Sequence, residues 1–569
     1  MTHATKTYEP LCGANISWVD QTVARFQSQY IGSDGLIISA LQGNGAIADA
    51  TPLIADFGDV FPFLHAWNCN AFIEQQISKA SAYLKKDLFE HNGFVSLFLN
   101  HDWLLGLLEL YRLTGNAEYI ERATRASHTI INNYFVNDVL VDSLPSIKRP
   151  KSLLCPATSF NVGYVELWLE LHDITGDELL LEASTRLART WIETDDFIRH
   201  GFFPRILSSH SHHLDKALRF ASKNRALLFK DNTNCIWSIL ALYQKTGEPY
   251  WQEAIECWID GFETHFFNNG DVYLYLDQSL KGQSPALRAA FSVIDFMCDY
   301  AIATGSTRTE KLACRIADRW LTYQWPSGLF PESGDADHDH LDCNVDMAIA
   351  LTKLSGINDR RSYLEAAQKT AKAIIAHHRT DLGYCLSVKK DGSPYDSRII
   401  IKFQALMLKL ALTPANGQAV LADSSMRIAY LIHRFPWPSE TFITREISAL
   451  LNQGIDLRLY SFEAPDATTT LKLSELALKL QSQTQYLTKT DAAIALASNR
   501  LIKGCLLNAK LPSQGGMAKN ALRLGRALAL AKRLKQDGVT HLHAHWPYAT
   551  AVANIAAELT GIPYSISVH

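Results

Sequence analysis

A short phrase that recurs along the first 410 or so residues constrains the fold more than any other feature of this sequence. A long apolar run ends in Thr114-Gly115, and the same ending returns at Thr175-Gly176, Thr246-Gly247 and Thr304-Gly305, with a variant at Ser355-Gly356. Successive copies lie roughly 50 to 70 residues apart, and periodicity on this scale is typical of stacked supersecondary units. The sequence therefore predicts a repeat architecture built from helices.

Each copy has the same internal order. The first helix, as in 103–113, is apolar on every side, which predicts burial all round. The glycine supplies the left-handed backbone that ends a helix, and an amphipathic second helix follows. Segments that pair a glycine with an aromatic residue return the chain to the next copy, and we expect them to form short strand pairs on one rim. The predicted stripes of two second helices are Tyr119, Ile120, Ala123, Ala126, Ile130 and Tyr134, and Tyr363, Leu364, Ala367, Ala371, Ile374 and Ile375; the return segments are Gly93-Phe94, Gly201-Phe202-Phe203-Pro204, Gly328-Leu329-Phe330-Pro331 and Gly383-Tyr384.

Inner helices that are buried all round and outer helices that are buried on one side describe a toroid, the α/α-barrel. The apolar segments 59–67 and 399–412 add inner helices, and 16–30 and 71–88 add outer ones. The count is about seven pairs, although six is the commoner closure, so the fold class over residues 1–412 is an all-α (α/α)6–7 barrel. A linear α-solenoid is the alternative, but its turns are usually shorter than these return segments.

The order of helices and return segments over about residues 15–412 resembles the six-hairpin glycosidase superfamily. That group includes unsaturated-glucuronyl hydrolases, polysaccharide lyases and N-acylglucosamine 2-epimerases, so the resemblance implies a carbohydrate substrate. No family-diagnostic motif accompanies the architecture. Hydrolase, lyase and epimerase chemistry therefore stay open for the barrel, as does a non-catalytic glycan-binding or docking role.

Polar residues stand just before the inner helices, where loops would line a central cavity. Glycoside hydrolysis needs two carboxylates, one protonated and one ionised, and Asp102 with Asp231 or Asp342 would supply this catalytic pair from different hairpins. A lyase would use an imidazole base such as His101, and both His101 and Glu332 are candidates for substrate binding. The competing interpretation is that such residues only cap helices. Further rim candidates are Asp56, Asp59, Asn232, Asn234, Asp335, Asp337, His338, Asp339, His340 and Asp346.

Neither the histidines nor the cysteines have the fixed spacing of a metal site, and no metal is predicted. DADHDHLD at 335–342 and SHSHH at 209–213 contain residue types that bind metals, but solvated polar loops are the favoured interpretation of both. The ten cysteines are scattered without a CxxC pair, and several lie in apolar helical runs. This pattern favours free thiols in a reduced compartment.

The pattern changes after the polar, small-residue segment 413–425, which we interpret as a linker. Segments of residues 426–569 alternate between strand and helix with short connections, which predicts an α/β Rossmann-like domain of parallel βαβ units. We expect its function at the carboxyl ends of the strands. Strands are predicted at 427–432, 455–462, 539–545 and 564–568, helices at 442–452 and 549–559, and further helices between 474 and 535 with a loop near 512–516.

Two phrases of this domain, RFPWPSETFITREI and HLHAHWPYATAVANIAAELTGIPYSISVH, resemble the N-terminal half of family-4 retaining glycosyltransferases of the GT-B type. The resemblance implies that Ser439, Glu440 and Thr441 bind substrate in the loop after the first strand. It implies that His543 and His545 end a strand at the cleft, where a structural role and a functional role are both open, and that His569 lines the donor-sugar pocket as the catalytic positioning residue. Ser439 or Thr441 could instead cap the helix that follows.

The same resemblance implies a nucleotide-sugar donor as co-substrate of the full-length enzyme, a glycan or glycolipid acceptor, and no tightly bound cofactor. The donor-binding half of a GT-B enzyme does not follow His569 in this sequence. We therefore expect this chain alone to be inactive in sugar transfer and to be a fragment of a longer gene product.

Bulk composition limits the partners of the chain. Its formal net charge is −4 and it has no Lys/Arg-rich run, which argues against nucleic acid. No stretch predicts a membrane span or a signal peptide, so we expect a cytoplasmic protein whose contacts with membrane-bound assembly machinery are peripheral. The leading hypothesis is a glycosyltransferase of polysaccharide biosynthesis with a barrel that processes or binds the same glycan. The alternative makes a hydrolase or lyase activity of the barrel the main function, or makes the barrel a docking module.

Overall fold

A computed structural model of the chain describes residues 10–13, 16–80, 88–91, 94–136, 138–144, 156–208, 224–358, 360–414, 427–438, 441–452, 455–470, 472–498, 517–537, 539–560 and 562–567. The chain divides into two compact units, one of residues Thr7–Gly417 and one that contains Gln418–His569. Most of the predicted linker, the SHSHH segment and the predicted loop near 512–516 lie outside the described residues.

Helices dominate the first unit, and short strands connect them. Its helices are α1 (Ser17–Ser28), α2 (Phe57–Ala66), α3 (Asn70–Lys79), α4 (Leu97–Thr114), α5 (Ala117–Tyr134), α6 (Tyr164–Thr175), α7 (Glu178–Ile192), α8 (Asp195–His200), α9 (Thr233–Thr246), α10 (Pro249–Gly261), α11 (Leu287–Thr304), α12 (Thr307–Leu321), α13 (Leu341–Asn358), α14 (Arg361–His377) and α15 (Ile401–Leu412). Its strands are β1 (Ile38–Leu41), β2 (Ile47–Pro52), β3 (Glu90–His91), β4 (Phe94–Val95), β5 (Phe135–Val136), β6 (Val139–Leu140), β7 (Pro156–Thr158), β8 (Ile206–Ser208), β9 (Ala226–Leu227), β10 (Phe267–Asn268), β11 (Asp271–Leu276), β12 (Gly282–Pro285), β13 (Arg379–Thr380), β14 (Gly383–Tyr384), β15 (Ser387–Val388), β16 (Pro394–Asp396) and β17 (Ile399–Ile400).

Seven of the described helices form a closed inner ring. Neighbouring members contact one another in the order α2, α4, α6, α9, α11, α13 and α15, and α15 contacts α2 again. Each ring helix packs against an outer helix, namely α3, α5, α7, α10, α12 and α14 in chain order, with α1 packing on α15. The two ends of the unit meet, since Leu11 N–H donates to the Thr413 carbonyl at 2.7 Å. Closure excludes the linear solenoid, and the described residues form an α/α-barrel of seven pairs.

Burial follows the two kinds of helix that the sequence predicts. In inner helix α4, over residues 103–110, the buried positions cover more than half of the circumference; they are Trp103, Leu104, Gly106, Leu107, Leu108 and Leu110. The stripe predicted along outer helix α5 is buried at all six positions. The stripe along α14 is buried at Tyr363, Ala367, Ala371 and Ile374 and half-buried at Leu364 and Ile375.

Glycine ends four of the inner helices as predicted. The φ angle is +69° at Gly115, +71° at Gly176, +69° at Gly247 and +75° at Gly305. The fifth glycine, Gly356, lies inside α13, which continues to Asn358. The prediction that Ser355-Gly356 ends a helix is therefore wrong, because a helix interior tolerates glycine at a cost of about 1 kcal/mol.

The return segments form strand pairs at only two of the four predicted places. β4 pairs with β3 and β14 pairs with β13. The segments 201–204 and 328–331 form no strand, apart from a single bridge between Pro331 and Asp339. An asparagine side chain takes the place of the partner strand in both. Asn232 accepts from Phe203 N–H and donates to the Phe203 carbonyl, and Asn344 does the same for Phe330.

This arrangement, which we call the amide clamp, recurs around the barrel. A fully buried amide near the start of an inner helix bonds both backbone groups of one aromatic rim residue, at 2.7–2.8 Å for the accepted N–H and 3.0 Å for the carbonyl. The four clamps of the described chain are Asn100 on Phe89, Asn232 on Phe203, Asn344 on Phe330 and Gln404 on Tyr384.

The second unit is built on a parallel sheet. Its strands are β18 (Arg427–Arg434), β19 (Asp456–Glu463), β20 (Thr484–Tyr486), β21 (His541–His545) and β22 (Tyr564–Ser567), and its helices are α16 (Thr441–Asn452), α17 (Ala467–Thr470), α18 (Glu475–Gln483), α19 (Lys489–Ser498), α20 (Met517–Gln536) and α21 (Pro547–Thr560). The strands pair in the order β20-β19-β18-β21-β22, and every pairing is parallel. Counted along the chain, this order is 3-2-1-4-5, which occurs in doubly wound folds.

Helices cover both faces of this sheet. Along β18, Ala429 and Leu431 enter one apolar cluster, while Tyr430 and Ile432 enter another. The four predicted strands are present, with ends that differ by up to two residues. One prediction is wrong: Thr484–Tyr486, assigned to helix, is the edge strand β20. Three residues are too few to show the alternation that marks a strand.

The eight cysteines of the described ranges are free thiols, six of them buried. In the same ranges no helix combines the length and the apolar character that crossing a membrane requires.

Candidate active site

A cavity of about 330 Å³ lies between the inner helices of the barrel. Its volume falls in the range of small-molecule binding sites. Helices α4, α6, α9 and α11 contribute its wall, together with the turn before α6. The lining residues are His101, Gly163, Glu166, Asn234, Trp237, Asp295 and Asp299.

Two aspartates of the cavity wall, both from α11, share one lysine that does not itself line the cavity. Lys353 Nζ donates to Asp295 Oδ1 at 2.5 Å and to Asp299 Oδ1 at 2.8 Å, and Trp237 Nε1 donates to Asp299 Oδ2 at 3.1 Å. Burial would lower the pKa of Lys353, but the two carboxylates outweigh burial and raise it, so the lysine stays protonated. Both oxygens of Asp299 are therefore engaged. Asp295 Oδ2 makes no hydrogen bond to any described residue, which leaves it available to a ligand.

A glutamate from a different helix faces the same cavity. Glu166 lies in the first turn of α6, and its side chain is exposed to the cavity although helices surround it. The surrounding protein raises the pKa of Glu166 by desolvation; His101 opposes the rise and the charge of Asp299 adds to it. Water in the cavity moderates the effect, but its direction keeps this carboxyl protonated to higher pH than an ordinary glutamate.

His101 is held in place on three sides. Its Nδ1 lies 3.2 Å from Asp102 Oδ1, and its ring packs edge-on against Phe160 and Tyr164, with centroids 5.3 and 5.4 Å away. A Cβ atom at Gly163 would lie only 3.1 Å from His101 Nε2. The glycine therefore leaves the space that the imidazole needs at the cavity wall.

The three predicted catalytic carboxylates lie on three different segments of the barrel. Asp102 lies inside α4 rather than before it, Asp231 directly precedes α9, and Asp342 lies in the first turn of α13. No hydrogen bond or ion pair joins any two of them in the described part of the chain. Burial raises the pKa of Asp231 to about 7, against the opposing charge of Arg205. Their catalytic role stays a prediction.

Helix capping does not account for two of the rim residues, Asp56 and Asn232. Asp56 occupies the N-cap position of α2 without a capping hydrogen bond and instead accepts from Lys402 Nζ at 2.8 Å. Lys402 also lies 2.6 Å from Asp59. Asn232 precedes α9 and uses its amide for a clamp. The polar residues at the starts of these helices serve ion pairs and clamps.

A second charged group surrounds the start of α13. Arg288 lies 3.5 Å from Glu332, and His340 contacts Asp342. Burial would raise the pKa of Asp342, but the hydrogen bond and charge of His340, with the charge of Arg288, lower it. His340, Asp342 and Cys343 each place one ligand atom within 4.8 Å of the others, a set that could hold a metal ion. Glu332 also contacts His338 at 3.2 Å, so its place is in an ion-pair network at the rim.

The acidic run at 335–342 is only in part the solvated loop that the sequence predicts: Asp335 and Asp337 are exposed, but Asp339 is not. Asp339 is fully buried and its Oδ2 lies 2.7 Å from His378 Nε2, while His378 Nδ1 faces the Cys385 carbonyl at 2.8 Å. Both nitrogens of His378 face acceptors, which fits a doubly protonated ring. Burial would lower the pKa of His378, but Asp339 raises it to about 10. The expectation fails at Asp339 because this aspartate has a buried cationic partner far away in sequence.

The sequence reasoning missed four residues around the cavity: Glu166, Asp295, Asp299 and Lys353. All four are charged residues inside inner helices that are otherwise rich in apolar residues. A charge in such a helix must be paired or must face a polar cavity, because burying it alone is costly. Charges inside the inner helices were therefore a signal for the cavity, whereas the predicted residues come from segments that the sequence places before these helices.

In the second unit, His545 is fully buried at the end of β21. Its Nε2 lies 3.7 Å from Glu446 Oε2, and Tyr430 donates to Glu446 Oε1 at 2.6 Å. With His543, the pair Glu446 and His545 forms another group of ligand atoms within 4.8 Å. A direct contact of His545 with substrate stays a prediction. Ser439, Glu440 and His569 lie outside the described residues; Thr441 begins α16, and its side chain is not among those described.

Comparisons with known proteins bear on the fold alone. No protein-family model matches the chain, and a search of curated proteins finds no match. Among solved structures, the alpha-1,2-mannosidase from Trichoderma reesei is 12% identical with a TM-score of 0.51, covering 69% of this chain and 90% of that chain. This likeness shows the fold alone, an α/α-barrel. A D-mannose isomerase (10% identity, TM-score 0.45, 71% and 98% covered) and a sugar epimerase from a ruminal bacterium (10%, 0.43, 69% and 98%) also match.

Proposed function

We propose that the first unit is a carbohydrate-processing enzyme that hydrolyses a glycosidic bond in the barrel cavity. The observation that carries this proposal is the pair of unlike carboxyls on the cavity wall. Glu166 has a raised pKa, whereas Asp295 faces the permanent charge of Lys353. A protonated and an ionised carboxyl across one sugar are what glycoside hydrolysis requires. The α/α-barrel architecture, shared with a solved mannosidase, is consistent with this function.

The contacts assign a role to each side chain. Glu166 donates its proton to the glycosidic oxygen as the bond from this oxygen to the anomeric carbon breaks. Asp295, through its unengaged Oδ2, activates the attacking water or attacks the anomeric carbon itself. Asp299 touches Lys353 and Trp237 rather than the reacting atoms, so it is a positioning residue. His101 lies beside Glu166 and would bind a sugar hydroxyl.

The test uses the full chain and a panel of aryl glycosides and oligosaccharides. Glu166→Gln and Asp295→Asn should each lower kcat by at least about 100-fold, the usual effect of removing a general acid or base. Glu253→Gln, an exposed glutamate on outer helix α10, is the matched control and should leave kcat unchanged. Hydrolysis that survives both cavity substitutions would refute the assignment. Binding without any turnover would instead favour the docking role, and an unsaturated or epimerised product would favour the lyase or epimerase alternative.

A second candidate function belongs to the second unit. We propose that it is the acceptor-side half of a family-4 glycosyltransferase. The five-stranded parallel sheet in 3-2-1-4-5 order supports this proposal, because ligands of such sheets bind beyond the carboxyl ends of the strands. The loop with Ser439 and Glu440 follows β18 at that end in the sequence.

Acceptor binding tests the second candidate without requiring sugar transfer. Oligosaccharide acceptors should bind the full chain, and Glu440→Gln should weaken this binding by about tenfold or more. Glu558→Gln, on the exposed face of α21, should not. The cavity variant Asp295→Asn separates the two units, since it should leave this binding unchanged. Equal binding by wild type and Glu440→Gln would contradict the proposal.

A further inference from the structure

The carboxyl groups around the cavity outnumber the cations, even with Glu166 protonated as the proposed mechanism requires. Glu166, Asp295 and Asp299 supply three carboxyls, while the other lining groups are an imidazole, an amide, an indole and a glycine. No lysine or arginine lines the cavity in the part of the chain that the structure describes. A ligand that enters therefore meets carboxyl groups from two helices, α6 and α11.

The nearest cation does not correct this imbalance. Lys353 lies behind Asp295 and Asp299 and bonds both of them, so its single charge faces two carboxylates. The other lysines of the inner ring are engaged as well: Lys245 contacts Asp173, Lys402 faces Asp56 and Asp59, and Lys409 lies 3.9 Å from Asp346. Among the described inner-ring lysines, each is matched or outnumbered by carboxylates, and none is available to an incoming anion.

A carboxylate on a sugar would therefore add one more negative charge to an acidic enclosure. Like charges at close range in a partly desolvated site repel strongly, and ions in bulk solution screen them little. The hydroxyls of an uncharged sugar can instead donate hydrogen bonds to Asp295 Oδ2 and accept them from Asn234, and Trp237 offers an apolar ring.

We propose that the sugar residue bound in this cavity carries no carboxylate, sulfate or phosphate group, so that the enzyme acts on uncharged glycans and excludes uronic acids. The inference rests on the proposed function of the same cavity. It names the substrate class that the composition of the wall selects.

Matched pairs of methyl glycosides test the inference. Methyl glucoside with methyl glucuronide, and the galactose and mannose pairs, differ only in a CH₂OH group against a carboxylate. Binding to the full chain, measured by saturation-transfer NMR and calorimetry at neutral pH, should be at least about tenfold weaker for the uronate of any pair that binds. Asp299→Asn removes one negative charge and leaves Lys353 less neutralised, so it should reduce this ratio, whereas Glu253→Gln should not. Thermal unfolding checks that both variants are folded.

The outcomes separate the two proposals. A uronate that binds as tightly as its neutral partner, or more tightly, overturns the inference and leaves the proposed function intact. A panel in which no sugar binds overturns the proposed function, and the inference falls with it. A ratio that Asp299→Asn leaves unchanged would show that the wall charges do not set the selectivity, and would also overturn the inference.

Discussion

At the scale of single residues, the buried pair of His378 and Asp339 links the last hairpin of the barrel to the rim loop before α13. Neither side chain is exposed. Asp339 also accepts a hydrogen bond from Val388 N–H at 2.8 Å, so its charge is shared between an imidazolium and the backbone. Removing one partner from such a pair is strongly destabilising, because it leaves the other charge uncompensated in the interior.

This pair should make the stability of the first unit depend on pH. The folded pKa of His378, about 10, lies above the value near 6.5 of an unfolded histidine. The contribution is therefore complete below about pH 6.5 and is lost as the pH rises through the folded pKa. Between the two pKa values the free energy of unfolding falls by up to about 1.4 kcal/mol per pH unit. Urea unfolding of wild type should show a lower free energy at about pH 9 than at about pH 7. His378→Gln should be about 3–5 kcal/mol less stable at neutral pH and should lack this slope. Equal slopes in both proteins would contradict the assignment.

The sequence identified some residues of the candidate cavity and missed others. His101 and Asn234 were among the predicted rim residues, and both line the cavity. Asp102 contacts the cavity residue His101, and Asp342 contacts the rim residue His340. Both aspartates lie inside helices, because α4 and α13 begin before them rather than after them. Asp295 and Asp299 lie two and three turns into α11. Only the packing of the inner helices shows that this part of α11 faces the cavity.

At the scale of elements, the amide clamps show how an α/α-barrel holds its rim without a continuous sheet. Each clamp satisfies one N–H and one carbonyl of an aromatic rim residue, as a strand partner would. Asn232 goes further, since it also donates to the Leu227 carbonyl at 2.8 Å and accepts from Trp258 Nε1 at 3.2 Å. A single side chain thus connects β9, the rim segment and outer helix α10.

Removing a clamp should cost more than removing an ordinary amide. Asn232→Ala would leave the backbone groups of Phe203 buried without partners, and we expect a loss of about 2–4 kcal/mol in the free energy of unfolding. Gln27→Ala, an exposed amide on α1, should change the same quantity by less than about 0.5 kcal/mol. Urea unfolding followed by circular dichroism measures both. A loss below about 1 kcal/mol for Asn232→Ala would show that water replaces the amide and that the clamp is dispensable.

The elements themselves divide into those the sequence predicts and those it does not. Helices with strong periodicity, such as α5 and α14, are present with the predicted buried stripes. The rim at 201–204 and 328–331 differs, because asparagines distant in sequence take the role of a strand. When a distant side chain takes the place of a partner strand, the residues around the rim segment carry no sequence pattern that predicts it.

At the scale of the whole chain, the repeat predicted the closed ring, and the order of the α/β segments predicted most of the parallel sheet. The number of pairs could not be fixed from sequence, since the seventh outer helix, α1, belongs to an inner helix, α15, from the opposite end of the unit. Only a contact between the first and last segments reveals that pair. The division of the chain into two units falls within the segment predicted as a linker.

The meeting of the first and last segments, through the bond from Leu11 to Thr413, means that the barrel has no intrinsic starting point. Any exposed hairpin tip can serve as a new pair of termini once the old ends are joined, as is common for domains whose ends are adjacent. A circular permutant of residues 10–414 that joins 414 to 10 through a short glycine-rich link and opens at the exposed turn Gly247-Glu248 should keep its helical content and unfold cooperatively. A molten, non-cooperative product would show that the barrel also requires the natural order of its hairpins along the chain. If the permutant folds, the closed ring of contacts, and not the position of the termini, determines the fold of this unit.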